Sequence, residues 1–208
     1  MTDSSTRSSR KPPDQHRRHC LRRLLAVGVL TALSIGAGPA IAAEAEIRNI
    51  VLQPGDDQYI LNADVVAELT PLLADVVGRG VSLYFVTEFE LTAPRWYWLD
   101  EEIVTRVLTY RLSYQSLTRQ YRLTTGALHQ NFASLDEAMR TMLRIRNWGI
   151  ADKGALKIGR SYNAALRFRL DVGELPKPLQ VSALGRKDWN LASDWYRWTF
   201  VATARDNK

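Results

Sequence analysis

The stretch that decides the fold is Val81-Ser-Leu-Tyr-Phe-Val-Thr-Glu-Phe-Glu-Leu91, followed after a turn at Ala93-Pro94 by a second alternating run over residues 103–114. In the first run, apolar side chains at odd-numbered positions alternate with polar ones such as Glu88 and Glu90, which is the pattern of a strand with one buried face. We therefore expect the two runs to form the central antiparallel pair of a sheet, against which the other segments pack.

The rest of the chain shows similar short alternating runs. They predict hairpins over residues 46–66 and 110–124, a short strand at 129–132, and strands at 162–170 and 194–201. The whole pattern predicts a mainly β (α+β) fold, namely an antiparallel β-sandwich-like single domain of about eight strands with two short helices.

Two helix starts and two irregular segments complete this reading of the fold. Thr70-Pro71 is typical of a helix N-terminus, and Ser134 with Glu137 forms a capping-box pattern. The second helix is expected to carry Arg140, Arg144 and Arg146 in its later turns, where the helix dipole favours cations. Residues 147–160 contain three glycines and are predicted to be a loop, and residues 175–179 (Leu-Pro-Lys-Pro-Leu) are predicted to be extended.

The first 43 residues have the composition of an export leader. A polar, arginine-rich prefix precedes residues 24–43, which carry no charge and end in the small-residue site Ala40-Ile41-Ala42. We predict that residues 1–43 are a disordered basic prefix plus a signal peptide, cleaved after Ala42 or Ala43. The alternative is an uncleaved inner-membrane anchor formed by residues 24–43. In both cases residues 44–208 are expected to form a single exported β-rich domain in the periplasm.

The leader also accounts for most of the positive charge of the chain. The net charge is +6, but seven of the cations and two of the acids lie in residues 1–42, which leaves +1 for the remainder. Nucleic-acid binding is therefore not expected, although the overall composition is basic. The single cysteine, Cys20, lies in the leader, and His129 is the one histidine after it. Zinc sites built from several Cys or His ligands are thereby excluded, and no cofactor is expected.

All six tryptophans lie after the leader. They predict either a surface that stacks on sugar rings or grips a partner, or simple core packing. The candidate binding surface consists of Arg95, Trp96, Trp98, His129, Trp189 and Trp195.

Hydrolase chemistry has weaker support in the sequence. Glu88 and Glu90 share a strand face at roughly 6.5–7 Å, which is close to the carboxyl separation of an inverting glycosidase. The alternative is a solvated face paired to arginines on neighbouring strands, for which the candidates are Arg106, Arg111, Arg119 and Arg122. His129 would be the general base of a triad, but the chain has no Gly-x-Ser-x-Gly motif. The balance favours a protein that is not an enzyme and has no catalytic residues.

A set of longer motifs resembles an uncharacterised family of exported proteobacterial proteins, domain of unknown function 4390, over roughly residues 45–202. The motifs are Val81-Ser-Leu-Tyr-Phe-Val, Arg95-Trp-Tyr-Trp, Thr109-Tyr-Arg-Leu-Ser-Tyr, Arg119-Gln-Tyr-Arg-Leu, Leu128-His-Gln-Asn-Phe, Leu175-Pro-Lys-Pro-Leu and Asp188-Trp-Asn-Leu-Ala-Ser-Asp-Trp. The resemblance implies a single exported domain with no assigned activity, cofactor or catalytic residue, and a link to two-component signalling.

Three functional hypotheses follow from these observations. The first is a periplasmic, non-enzymatic binding or accessory module of the cell envelope, which recognises a protein partner such as the sensor region of a kinase through an aromatic surface. The second is a carbohydrate- or peptidoglycan-binding module that uses Trp96 and Trp98. The third and least favoured is a hydrolase that uses Glu88 and Glu90, or His129.

Overall fold

The computed structural model describes residues 43–97 and 100–204, and predictions that concern residues 1–42 or Trp98 lie outside this part of the chain. The strands are β1 (Ala43–Pro54), β2 (Gln58–Val66), β3 (Leu83–Ala93), β4 (Glu101–Gln115), β5 (Gln120–Thr125), β6 (Leu128–Phe132), β7 (Arg144–Asp152), β8 (Ser161–Leu170), β9 (Leu191–Ser193) and β10 (Tyr196–Val201). The α-helices are α1 (Pro71–Gly78), α2 (Leu135–Met142) and α3 (Lys177–Ala183). None of the helices in these ranges is long and apolar enough to cross a membrane.

The ten strands form one mixed sheet in the order β6-β5-β4-β3-β8-β9-β1-β2-β7, with β10 paired to β8. The pairing of β1 with β9 is parallel, and the other pairs are antiparallel. The sheet curls so that β7 lies across the inner face of β3 and β4. The rings of Phe89 and Trp148 are 6.5 Å apart, and Arg106 Nε donates to the Ile150 carbonyl oxygen at 2.9 Å. The mainly β prediction is confirmed, but a single half-barrel-like sheet stands in place of the expected two-sheet sandwich.

The predicted central pair is confirmed, because β3 pairs with β4 on one side and with β8 on the other. Its odd-numbered side chains, including Phe85 and Phe89, are fully buried on the inner face. The Phe85 ring stacks on Phe168 of β8 at a centroid distance of 5.8 Å. The period-two pattern therefore assigns the buried face of this strand correctly.

Both predicted helix starts are also confirmed. Thr70 Oγ1 accepts a hydrogen bond from the Leu73 amide at 3.2 Å and donates to the Asp188 carbonyl at 2.8 Å. Ser134 Oγ accepts from the Glu137 amide at 3.3 Å. Each helix then buries an apolar stripe against the sheet, as amphipathic helices do.

Three local predictions are wrong. Helix α2 ends at Met142, and residues 144–152, predicted to be helix and loop, form strand β7 on the open edge of β2. Asn147 adopts a positive φ of 51° within this strand, and the ladder shifts register there. The segment 175–179 is not extended throughout, because helix α3 begins at Lys177 with Pro178 in its first turn, where a missing N–H costs nothing. The three-residue strand β9 was not predicted.

Candidate functional site

The outer face of the sheet is the solvated one. Strands alternate their side chains, so the neighbours of the buried residues on β3, β8 and β10 project away from the core. On β3 these are Glu88 and Glu90, on β8 they are Arg167 and Arg169, and on β10 the corresponding residue is Arg197. Charged side chains are thus concentrated on one surface of three neighbouring strands.

Trp195 lies on this face at a break between β9 and β10. Both strands pair with β8: Ala192 of β9 lies opposite Arg169, and Tyr196 of β10 lies opposite Leu166. Residues 193–195 therefore lie opposite residues 167–168, so the β9–β10 segment has one extra residue. Such an extra residue is a bulge, which re-aims a side chain locally. Trp195 is half-buried.

Two guanidinium groups contact the Trp195 ring. The Cζ atoms of Arg167 and Arg197 lie 5.9 Å and 6.0 Å from the centroid of the indole, within the range of cation–π attraction. We call these three residues the Trp195 cluster.

The cations of the Trp195 cluster lack acidic partners within the described ranges. Glu88 faces Arg167 across the strands, but its Oε1 accepts from Arg169, at 3.0 Å from Nε and 2.7 Å from Nη2. Glu88 and Asp171 raise the pKa of Arg169 above its ordinary value, chiefly through the Glu88 hydrogen bond. Arg167 Nε is buried without a hydrogen-bond partner. Neither guanidinium group of the cluster is therefore held in an ion pair within the described part of the chain.

A polar groove of about 380 Å³ adjoins the cluster. Arg197 lines it together with Glu90, Thr92, Asp100, Asn163 and Thr199. Asp100 Oδ2 accepts from Asn163 Nδ2 at 3.1 Å and from Thr92 Oγ1 at 3.5 Å. The groove thus offers fixed acceptors and a cation side by side.

The loop after β3 carries exposed aromatic side chains three and four residues before Asp100, which lines the groove. Trp96 is 93% exposed and Tyr97 is 65% exposed, with their ring centroids 5.0 Å apart. Arg95 Nη2 forms an ion pair with Glu101 Oε2 at 2.8 Å, and this hydrogen bond holds the pKa of Glu101 below its ordinary value. The loop is thereby pinned to the start of β4.

The remaining predicted site residues lie elsewhere. His129 is exposed on the edge strand β6, which is four strands from β8, or on the order of 19 Å at the usual strand spacing. Trp189 is 3% exposed and packs in the core, and its Nε1 has no hydrogen-bond partner. The structure therefore does not bring His129 and Trp189 together with Trp195.

The carboxylates predicted as a hydrolase pair have different environments. Glu88 Oε1 already accepts two hydrogen bonds from Arg169, whereas Glu90 is exposed in the groove. None of the four arginines predicted to pair with Glu88 does so, and Arg106 points to the inner face. Arg169 was the missed partner. Within the described ranges, no group of three or more His, Cys, Asp or Glu side chains is arranged to hold a metal ion.

The residues of this face that the sequence analysis did not include in the candidate site are Arg167, Arg169, Arg197 and Asn163. On β8, Asn163, Arg167 and Arg169 alternate with buried residues, and that pattern marks them as solvent-facing without distinguishing them from other surface residues. Arg197 has no buried neighbour on β10, so alternation gives no signal for it. Arg197 stands in Trp195-Tyr-Arg-Trp198, where an arginine between aromatics indicates a contact surface.

The fold and this face define a mainly β domain whose polar surface is built by strands β3, β8 and β10. The chain belongs to the family described as Domain of unknown function (DUF4390), whose model matches residues 42–199. No curated protein and no solved structure matches the chain.

Proposed function

We propose that the protein is an exported, non-enzymatic binding or accessory module of the cell envelope, which holds a protein partner against the outer face of its sheet. The observation that carries this proposal is the Trp195 cluster, in which two arginines without acidic partners flank a half-buried tryptophan. Tryptophan, tyrosine and arginine dominate the binding energy of protein interfaces. Such a cluster on rigid strands is suited to anchor a partner.

The neighbouring features extend this surface. The groove supplies hydrogen-bonding side chains, and the loop with Trp96 and Tyr97 supplies exposed apolar area. An interface that combines buried anchors with a polar surround is typical of specific recognition. The sensor region of a kinase is the partner that the proposed link to two-component signalling favours.

Export is the second element of the proposal, and the position of β1 supports it. The strand begins at Ala43, which is the last residue of the uncharged run and directly follows the Ala40-Ile41-Ala42 site. Cleavage after Ala42 or Ala43 would therefore release a chain that starts at or within the first residues of the sheet. N-terminal sequencing of the protein purified from the periplasm tests this point.

Site-specific photo-crosslinking in living cells tests the partner. A photoreactive phenylalanine at Thr199, which lines the groove, is expected to give a crosslinked protein product in the envelope fraction. Thr118 in the exposed β4–β5 turn is the matched control, because it is the same residue type on another surface. Equal products from both positions, or no product from Thr199, would refute the proposal.

A second candidate, a peptidoglycan- or glycan-binding module, is favoured by one observation. The groove has the volume and the polar lining that a single sugar ring requires, and exposed aromatic residues occupy the adjoining loop. Titration with soluble peptidoglycan fragments should then quench tryptophan fluorescence, and Asn163→Ala should abolish the effect. A response that Asn163→Ala leaves unchanged would exclude the groove as the glycan site.

A further inference from the structure

The Trp195 cluster has the chemistry of a carboxylate receptor. We propose that it binds the side-chain carboxylate of an Asp or Glu within an extended segment of the partner, an inference that rests on the proposed function. Arginine presents its N–H donors in a planar fork that matches a carboxylate, and charge-assisted hydrogen bonds of this kind are roughly twice as strong as neutral ones.

The geometry leaves the donors of both arginines available. Arg167 Nε is buried without a hydrogen-bond partner, and its guanidinium group forms no ion pair within the described ranges. Arg197 borders the open groove. A ligand carboxylate would therefore meet two guanidinium groups that are not already ion-paired, because Glu88 is engaged by Arg169.

Nearby acids narrow the class of ligand. Glu90 and Asp100 line the groove, and the exposed Asp194 precedes Trp195. These carboxylates repel a second negative charge, so a polyanion such as a nucleic acid or a polyphosphate fits poorly. A single carboxylate with hydroxyl, amide or ammonium neighbours fits well, since these neighbours can donate to Glu90 and Asp100.

The spacing along β10 predicts where those neighbours stand. Arg197 and Thr199 project on the same face, about 7 Å apart at the usual rise of a strand. Thr199 pairs with Asn163, whose side chain donates to Asp100, so Asp100 lies near the level of Thr199 and away from that of Arg197. Side chains two residues apart in an extended peptide have the same separation. The recognised segment therefore carries its acidic residue two positions from a Lys, Ser or Thr.

The test uses protein purified from cells that produce the full chain. Acetyl-Thr-Asp-Thr-Lys-Thr-amide is titrated to millimolar concentration while the indole N–H of Trp195 and the Nε–H signals of Arg167 and Arg197 are followed by NMR. The same peptide with Asn in place of Asp isolates the carboxylate without any change to the protein. We expect the Asp peptide to shift these three signals and the Asn peptide to bind at least roughly tenfold more weakly, as the loss of a charged hydrogen bond implies.

Variants locate the effect on the protein. Arg167→Gln and Arg197→Gln should each weaken binding of the Asp peptide roughly tenfold, whereas Arg140→Gln, which removes one charge from helix α2, should leave it unchanged. Equal binding of the two peptides, shifts confined to other residues, or no shift at all would overturn the inference. Crosslinking from Thr199 is a separate readout. If it persists while the carboxylate dependence is absent, the partner surface stands and only the carboxylate receptor fails.

Discussion

Replacement of Phe89 by Ala should destabilise the domain more than any other single truncation of an aromatic residue on β3. Its side chain is fully buried at the point where three parts of the sheet meet, and its ring contacts Trp148 of β7 at 6.5 Å and Trp198 of β10 at 6.2 Å. Truncation of a buried Phe to Ala typically costs about 3–5 kcal/mol. Each aromatic pair adds roughly 0.5–1.5 kcal/mol beyond area burial. We therefore expect Phe89→Ala to lower the free energy of unfolding by an amount near about 5 kcal/mol, the upper end of the range for a buried Phe.

The free energy of unfolding is measured by urea titration followed by far-ultraviolet circular dichroism, because tryptophan fluorescence would itself respond to the loss of neighbouring Phe89. Tyr97→Ala is the matched control, since it truncates an aromatic side chain that is 65% exposed. It should change the free energy of unfolding by no more than about 0.5 kcal/mol. A loss below about 1.5 kcal/mol for Phe89→Ala would refute the conclusion that this ring joins β3 to β7 and β10, because losses for point mutants of all kinds already centre near about 1 kcal/mol.

Three further predictions concern stability. Thr70→Ala should cost about 1–3 kcal/mol in urea titrations because it removes the α1 cap and the bond to the Asp188 carbonyl, and Thr70→Ser should restore most of the loss. Burial raises the pKa of Tyr110 above its ordinary value of 10.0. The contribution of its neutral phenol to the free energy of unfolding is therefore fully present below about pH 10 and is lost as the pH rises through the folded pKa. Tyr110→Phe should reduce the alkaline fall in melting temperature. Gly55→Ala places a methyl group 2.8 Å from the Gln58 carbonyl oxygen, so it should lower stability by about 1–3 kcal/mol in thermal melts, and an unchanged melting temperature would contradict the turn geometry.

Local signals in the sequence were sufficient for the central part of the fold. The period of two across β3 identifies Phe85 and Phe89 as buried, and the caps at Thr70 and Ser134 locate two helices. These features depend on neighbouring residues alone. The prediction of a sandwich failed because the curl of a sheet depends on which strands pair, and pairing is not a local property.

The same reason explains the missed strands. β7 holds buried Ile145 and Ile150, but a positive φ at Asn147 and a register shift interrupt its alternation, and the edge of β2 fixes it as a strand. β9 is only three residues long and gains its identity from β1 and β8. No periodic pattern can develop over so short a segment.

The candidate site was predicted in part. Trp195 was named from its residue type, but the arginines beside it were not, because a bulge between β9 and β10 determines which side chains meet its ring. His129 and Trp189 were grouped with Trp195 on chemistry alone. The strand order separates His129 from it, and burial removes Trp189 from the surface.

The parallel contact between Ala43–Ala45 and Leu191–Ser193 ties the beginning of the described chain to its end. Because the chain is synthesised from its N-terminus, β9 becomes available long after β1. The edge of β1 that pairs with β9 therefore has no strand partner until almost the whole polypeptide is available. Closure between such distant segments is a slow step in folding. Strands β1, β2 and β7 join the remaining ladder through β9, and a truncation after residue 190 would therefore leave this three-stranded portion attached through side-chain packing alone, such as the contact between Trp148 and Phe89. A domain with this connectivity is therefore expected to complete its folding only after its last strands are available.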